Sequence, residues 1–130
     1  MNGLRVLIVD DSSVMRKIVD HSLRQAGLEL TEVFEASNGV EALARMNGTR
    51  VNLILSDINM PTMDGLELVR QLQAVDNAKG VSIVMITAEA EESNVVQALS
   101  SGARGYIRKP FSPDQIKKRT IPLLGDSHGA

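Results

Sequence analysis

Short apolar runs alternate with stretches of helical spacing along this chain. Five runs predict β-strands: Leu4–Val9, Leu30–Ala36, Val51–Leu55, Val81–Ile86 and Gly105–Arg108. Each is followed by a segment whose apolar residues recur at intervals of three and four, which indicates a helix. Because parallel strands need a crossover connection, this alternation favours a parallel sheet with helices on both faces. The pattern therefore predicts one doubly wound, five-stranded α/β domain.

Capping and turn residues mark the ends of the first helix. Ser12 or Ser13 can cap its amino terminus, and Gly27 ends it. Its inner face, predicted from helical spacing, consists of five residues: Met15, Ile18, Val19, Ser22 and Ala26.

Capping residues mark the start of the last helix, and a proline interrupts the helical pattern near its end. Ser112, Pro113 and Gln115 provide a cap, a first-turn proline and a capping-box partner. Pro122 lacks a backbone donor and clashes with the preceding turn, so we expect this helix to end near Thr120 or to kink there.

Composition narrows the class of protein. With 130 residues, 43% hydrophobic and 23% charged, the chain resembles an ordinary globular domain and not a disordered one. A net charge of −2 gives no electrostatic case for nucleic acid or anionic lipid. The absence of cysteine excludes disulfides and thiolate chemistry. The first residues lack the pattern of a signal peptide, so we expect a cytoplasmic protein. From the net charge, we expect no nucleic-acid or membrane partner.

Reactive side chains follow the predicted strands at their carboxyl ends. Asp10 and Asp11 follow the first strand, Asp57 the third, Thr87 the fourth and Lys109 the fifth. Parallel strands deliver these ends to one edge of the sheet, where open α/β sheets bind ligands. Carboxylates gathered there repel one another and favour a cation, and hard oxygen ligands suit Mg²⁺. With a lysine and a hydroxyl beside them, the group suits phosphoryl transfer to a carboxylate.

Each of these residues also has an ordinary structural explanation. Asp10 and Asp11 can cap a helix, Thr87 can simply end a strand, and Lys109 can be a solvated edge charge. Their joint placement at strand ends favours the functional interpretation.

A set of short motifs resembles the receiver domain of two-component response regulators. The motifs are Val9-Asp10-Asp11, Asp57 followed by Met60-Pro61 and Met63-Asp64-Gly65, Thr87-Ala88, and Lys109-Pro110-Phe111. Asn59, Glu89 and Tyr106 resemble the single-domain chemotaxis receivers within that family. The resemblance covers about Leu4 to Phe111 and implies a flavodoxin-like sheet of order 2-1-3-4-5. We expect a receiver domain over residues 1–124 and a flexible tail over 125–130.

The resemblance also implies a role for each acidic residue. Asp57 would be the phosphoacceptor for a sensor histidine kinase. Asp11 and Asp57 would bind Mg²⁺ directly, Asp10 through water, and Asn59 through its backbone carbonyl. The side chains of Asn59 and Glu89 would tune the rate at which the acyl phosphate is hydrolysed.

The remaining motif residues would read the phosphoryl group. Lys109, joined to Pro110 by a cis peptide bond, would bind a phosphoryl oxygen. Thr87 would bind another and move toward it, which would let Tyr106 turn inward. Phosphorylation would thereby shift the population of conformations.

The implied output surface comprises the fourth helix, the fifth strand and the fifth helix, including Val95, Tyr106 and Lys118. Its partner would be a downstream protein such as the flagellar motor switch, and a phosphatase would be a further partner. The alternative is a phosphorelay intermediate or a regulator with a non-flagellar target.

Two other classes of protein, phosphatases and flavin carriers, would share some features with this chain. A phosphatase with an aspartyl-phosphate nucleophile generally places an acid two residues after the nucleophile, where this chain has Asn59. A flavin carrier would share the topology, but the chain has only one Tyr, two Phe and no Trp to enclose a flavin.

Overall fold

The computed structural model describes residues 3–88 and 92–128. All five predicted strands and the helices between them form within those ranges. In chain order the elements are β1 (Leu4–Val9), α1 (Ser13–Gln25), β2 (Leu30–Ala36), α2 (Gly39–Met46), β3 (Leu53–Asp57), α3 (Gly65–Leu72), a short 3-10 turn (Asp76–Ala78), β4 (Ser82–Thr87), α4 (Glu92–Ser101), β5 (Gly105–Arg108) and α5 (Pro113–His128).

The strands form one parallel sheet of order β2-β1-β3-β4-β5, which confirms the predicted fold. The bounds of β1, β2 and β5 agree with the prediction, whereas β3 lies two residues and β4 one residue later along the chain. Pairing sets these bounds, because the ladder begins where Leu53 lies between Val6 and Ser82. As a result Asp57 is the last residue of β3 and lies opposite Ile86.

Strand residues alternate between two hydrophobic layers. In β1, Leu7 packs toward α2, α3 and α4, whereas Ile8 packs toward α1 and α5. In β4, Met85 and Ile86 divide in the same way. Both faces of the central strands are therefore buried, as expected for a parallel sheet. No helix in the described part of the chain is long and apolar enough to cross a membrane.

Helix α1 differs from the prediction at one inner position. Ser12 is the cap, and its side chain accepts a hydrogen bond from the amide of Met15 at 3.1 Å. Val19, Ser22 and Ala26 are buried as predicted, but Ile18 is 45% exposed. Leu23 takes the inner place instead, because the buried stripe follows residues 19, 22, 23 and 26.

Helix α5 continues through Pro122 to His128, so the predicted end near Thr120 is wrong. The capping box does form, since Ser112 and Gln115 exchange hydrogen bonds of 2.9 and 3.2 Å. Packing overrides the proline because Ile116, Thr120 and Leu124, one helical turn apart, are all buried. Pro122 itself lies on the exposed side of the helix. The predicted flexible tail overlaps the last turn of α5, and residues 129 and 130 lie outside the described ranges.

Replacing Pro122 with alanine should stabilise the protein. Alanine restores an N–H that can donate to the carbonyl of Lys118, and it removes the clash of the ring with the preceding turn. We expect the free energy of unfolding, measured in urea, to rise by roughly 1–3 kcal/mol.

Pro113→Ala is the matched control. Pro113 is the first residue of α5, where the missing N–H has no helical partner to lose. Its replacement should change the free energy of unfolding by less than about 0.5 kcal/mol. A Pro122→Ala variant no more stable than the Pro113→Ala variant would contradict the continuous helix.

Candidate functional site

The carboxyl edge of the sheet brings together the reactive residues that the sequence predicted. Asp57 ends β3 and Thr87 ends β4, while Asp10 directly follows β1 and Lys109 directly follows β5. Asp10, Asp57 and Thr87 are 3%, 8% and 1% exposed, so all three are buried polar side chains. Asp11 is exposed at the rim.

Three aspartates form an acid cluster, consisting of Asp10, Asp11 and Asp57. Each offers one carboxylate oxygen, and these three oxygens lie within 4.8 Å of one another. Backbone amides orient two of the carboxylates. Ser12 donates to Asp10 Oδ1 at 2.9 Å, and Ile58 donates to Asp57 Oδ1 at 2.8 Å. The second oxygens of Asp10 and Asp57 are left for other partners.

Lys109 provides the positive charge beside the acid cluster. Its Nζ lies 3.1 Å from Asp10 Oδ2 and 3.5 Å from Asp57 Oδ2. The backbone places it there, because its amide donates to the carbonyl of Thr87 at 2.8 Å. The peptide bond between Lys109 and Pro110 is cis, as the resemblance implied.

Burial raises the pKa of the Asp57 carboxyl above its ordinary value, and the charge of Asp10 raises it further. The Lys109 ammonium and the Ile58 amide oppose this rise, but burial dominates. One lysine faces three carboxylates, so the site has a surplus of negative charge. A divalent cation would remove that surplus.

The acid cluster fits Mg²⁺ in its chemistry and spacing. Mg²⁺ prefers carboxylate oxygens and water at about 2.1 Å, and it usually retains several waters. Three carboxylates, one of them at an exposed rim, supply protein ligands and leave access for water. Asn59, the other predicted ligand, lies two residues beyond Asp57 in the loop toward α3, with its side chain exposed.

Gly65 sets the path of the loop that leaves Asp57. Its amide donates to the carbonyl of Ile58 at 2.8 Å. A Cβ at this position would overlap the carbonyl oxygen of Asp57, so only glycine fits. Thr62 in the same loop has a φ of 70°, a conformation uncommon for a side chain other than glycine.

Arg16 supports the site and was missed in the sequence. Its Nη1 donates to the backbone carbonyl of Asp10 at 2.6 Å, and its Nε donates to Glu35 Oε1 at 2.7 Å. It thereby ties the turn after β1 to the end of β2. The available signal was its place in the first turn of a helix that begins at the carboxyl edge of the sheet.

Tyr106 lies away from the acid cluster, on β5 opposite Met85. Its half-buried ring packs against the layer that faces α2, α3 and α4. The guanidinium of Arg119 lies over the ring, 5.6 Å from its centre, as in a cation–π interaction. Glu89 lies outside the described residues.

The predicted output surface needs one correction, because Val95 is buried at 8% exposure. Val95 and Ala98, three residues apart, form the inner face of α4. Val96 and Leu99 are exposed in their place, at 54% and 42%. On the neighbouring elements, a cavity of about 470 Å³ is lined partly by Tyr106, Lys118 and Arg119.

Comparisons with known proteins agree with this geometry. Residues 6–121 match the family model described as the response regulator receiver domain. The chain is 39% identical to the chemotaxis protein CheY1 of Helicobacter pylori strain J99, over 94% of this chain and 98% of that protein. The structure of the chemotaxis response regulator CheY4 of Vibrio cholerae is 36% identical, with a TM-score of 0.82, over 95% of this chain and all of that one.

A third relative bears on the acid cluster. The receiver domain of the sensor histidine kinase PA1611 of Pseudomonas aeruginosa is 27% identical, with a TM-score of 0.81, over 95% of this chain and 98% of that domain. Its structure has a magnesium ion coordinated in the active-site cleft. Together with the sheet order and the acid cluster, these matches show that this chain belongs to the response regulator receiver family and is a receiver of the CheY type.

Proposed function

We propose that this receiver is switched by a phosphoryl group on Asp57, transferred from a sensor histidine kinase. Members of the family are signalling switches, and two of the three relatives above are chemotaxis proteins. The observation that supports the proposal most is the position of Asp57. It is buried at the end of β3, with Lys109 Nζ 3.5 Å from its Oδ2 and two more carboxylates beside it.

In the transfer step, an oxygen of the Asp57 carboxylate attacks the phosphorus of a phosphohistidine. A P–O bond forms while the P–N bond breaks, and the histidine nitrogen keeps the electron pair and takes up a proton. The Lys109 ammonium stabilises negative charge on the phosphoryl oxygens. Magnesium held by Asp10, Asp11, Asp57 and the backbone carbonyl of Asn59 would supply further positive charge at those oxygens.

The modified aspartate then changes the output surface. The hydroxyl of Thr87 moves to a phosphoryl oxygen, and the ring of Tyr106 turns inward. In the present structure the ring is half-buried and the Arg119 guanidinium lies over it. The downstream target binds the face of α4, β5 and α5, where Val96, Leu99 and Lys118 are exposed.

Hydrolysis of the acyl phosphate resets the switch. Asn59 and Glu89 tune its rate, and a separate phosphatase can accelerate it. The target we propose is a flagellar motor switch in the cytoplasm, and the support for it is that two of the relatives are chemotaxis proteins.

Acetyl phosphate should label wild-type protein only in the presence of Mg²⁺. Without the ion, the surplus negative charge of the acid cluster repels the donor. Intact-mass spectrometry measures the added phosphoryl group, and Asp57→Asn should abolish it.

Asp64→Asn is the matched control for labelling. Asp64 caps α3 through a 2.9 Å hydrogen bond to the Glu67 amide, and asparagine caps a helix equally well. This variant should be labelled like wild type. Labelling of the Asp57→Asn variant would refute the assignment, and catalytic turnover of p-nitrophenyl phosphate would favour a phosphatase.

Phosphorylation should change the intrinsic fluorescence of the protein. The chain contains one tyrosine and no tryptophan, so emission reports on Tyr106 alone. We expect acetyl phosphate with Mg²⁺ to alter that emission in wild type and not in Asp57→Asn. Thr87→Ser keeps the hydroxyl and should respond. Thr87→Ala should be labelled yet respond weakly, and a full response would contradict the coupling through Thr87.

Asp57→Asn should raise the melting temperature by a few degrees near neutral pH in EDTA. Because the folded-state pKa of Asp57 is raised, its contribution to stability is fully present below the ordinary pKa of about 3.9 and is lost as pH rises through the folded value. Asparagine does not ionise, so it avoids this loss. The difference between variant and wild type, followed by thermal denaturation, should therefore grow from acidic to neutral pH. A difference independent of pH would contradict the cost of the buried charge.

A further inference from the structure

A basic cavity lies at the amino edge of the sheet, opposite the acid cluster. Its volume is about 410 Å³, within the range of small-molecule sites. Four cationic side chains and two leucines contribute to its wall: Arg5, Arg50, Lys79, Arg104, Leu123 and Leu124. A second cavity of about 270 Å³ adjoins it and shares Lys79 and Arg104.

The sheet topology assembles this basic cavity from distant parts of the chain. Arg5 is the second residue of β1. Arg50 and Lys79 lie shortly before β3 and β4, and Arg104 lies immediately before β5. Asn52, just before β3, links that strand to β1, since its side-chain Oδ1 accepts from the Arg5 backbone amide at 2.8 Å and its backbone amide donates to the Arg5 carbonyl at 2.7 Å. Arg5 lies near the amino end of β1, and Asp10 follows the carboxyl end. Roughly 16 Å of strand therefore separates the cavity from the acid cluster.

The cationic side chains of the cavity are only partly neutralised. Arg5 Nε lies 2.9 Å from Glu32 Oε1, and Lys79 Nζ lies 3.6 Å from Asp76 Oδ1 in a solvent-exposed pair. Arg50 and Arg104 are exposed, and neither forms an ion pair with the side chains described for residues 3–88 and 93–124. Positive charge is therefore concentrated here, although the whole chain has a net charge of −2.

We propose that this cavity binds a small phosphorylated molecule of the nucleoside diphosphate class. The planar guanidinium groups of Arg50 and Arg104 match the oxygens of a phosphate and can bind them in bidentate fashion. Leu123, together with the largely buried Val51 and Val81, gives the same cavity an apolar wall that suits a nucleobase. The ligand would contact the end of α5, which belongs to the proposed output surface.

Isothermal titration calorimetry with ADP and the full chain tests the proposal. The buffer contains EDTA, so that phosphate bound through a metal ion at the acid cluster does not contribute to the heat. Arg50→Gln combined with Arg104→Gln should weaken ADP binding about tenfold or more, because each loses a charge-assisted contact. Both side chains are exposed, and thermal denaturation verifies that the variant folds. Arg70→Gln, an exposed arginine on α3 outside the cavity, should bind like wild type.

Inorganic pyrophosphate and adenosine separate the two parts of the ligand. Pyrophosphate should bind more weakly than ADP, and adenosine should bind much more weakly than either. NMR shifts on adding ADP should centre on residues 50, 79 and 104. Undetectable ADP binding, unchanged affinity in the double variant, or shifts centred on Asp57 would each overturn the proposal.

Discussion

Parallel pairing of the central strands is the constraint on which both charged regions depend. Because all strands of the sheet run in one direction, their carboxyl ends share one edge and their amino ends share the other. The first edge holds the acid cluster with Lys109, and the second holds the basic cavity. Residues nearly a hundred positions apart, such as Asp10 and Lys109, thereby come within 3.1 Å. The separation of negative and positive charge between the two edges of the sheet follows from the topology and not from the net charge.

Asp57 lies where the hydrophobic core and the functional site meet. Ile54 and Leu55, just before it, are completely buried, and they hold the backbone of β3 in place. The same burial raises the pKa of Asp57, so its ionised form costs stability in the isolated protein. Lys109 and the Ile58 amide offset part of that cost. A buried carboxylate that is only partly compensated in this way favours a nearby cation more than a solvated carboxylate would.

Helix α5 shows how packing decides between competing local signals. Ser112 is a local signal for the start of a helix, and Pro122 is a local signal for its end. Burial of Ile116, Thr120 and Leu124 on one side outweighs the missing donor at Pro122, which faces solvent. The end of this helix then brings Leu123 and Leu124 to the basic cavity, while Arg119, nearer its middle, lies over Tyr106.

The sequence by itself determined the alternation of strands and helices, the parallel sheet and the residues at its carboxyl edge, because hydrophobic period and turn chemistry are local properties. Resemblance to receivers added the strand order. Only the tertiary structure decided that Val95 and not Val96 is buried and that Arg16 binds the backbone carbonyl of Asp10. The tertiary structure also decided that burial is the largest influence on the pKa of Asp57 and raises it. It also decided the gathering of Arg50, Lys79 and Arg104. Each of these depends on contacts between segments far apart in the chain, which no local pattern specifies.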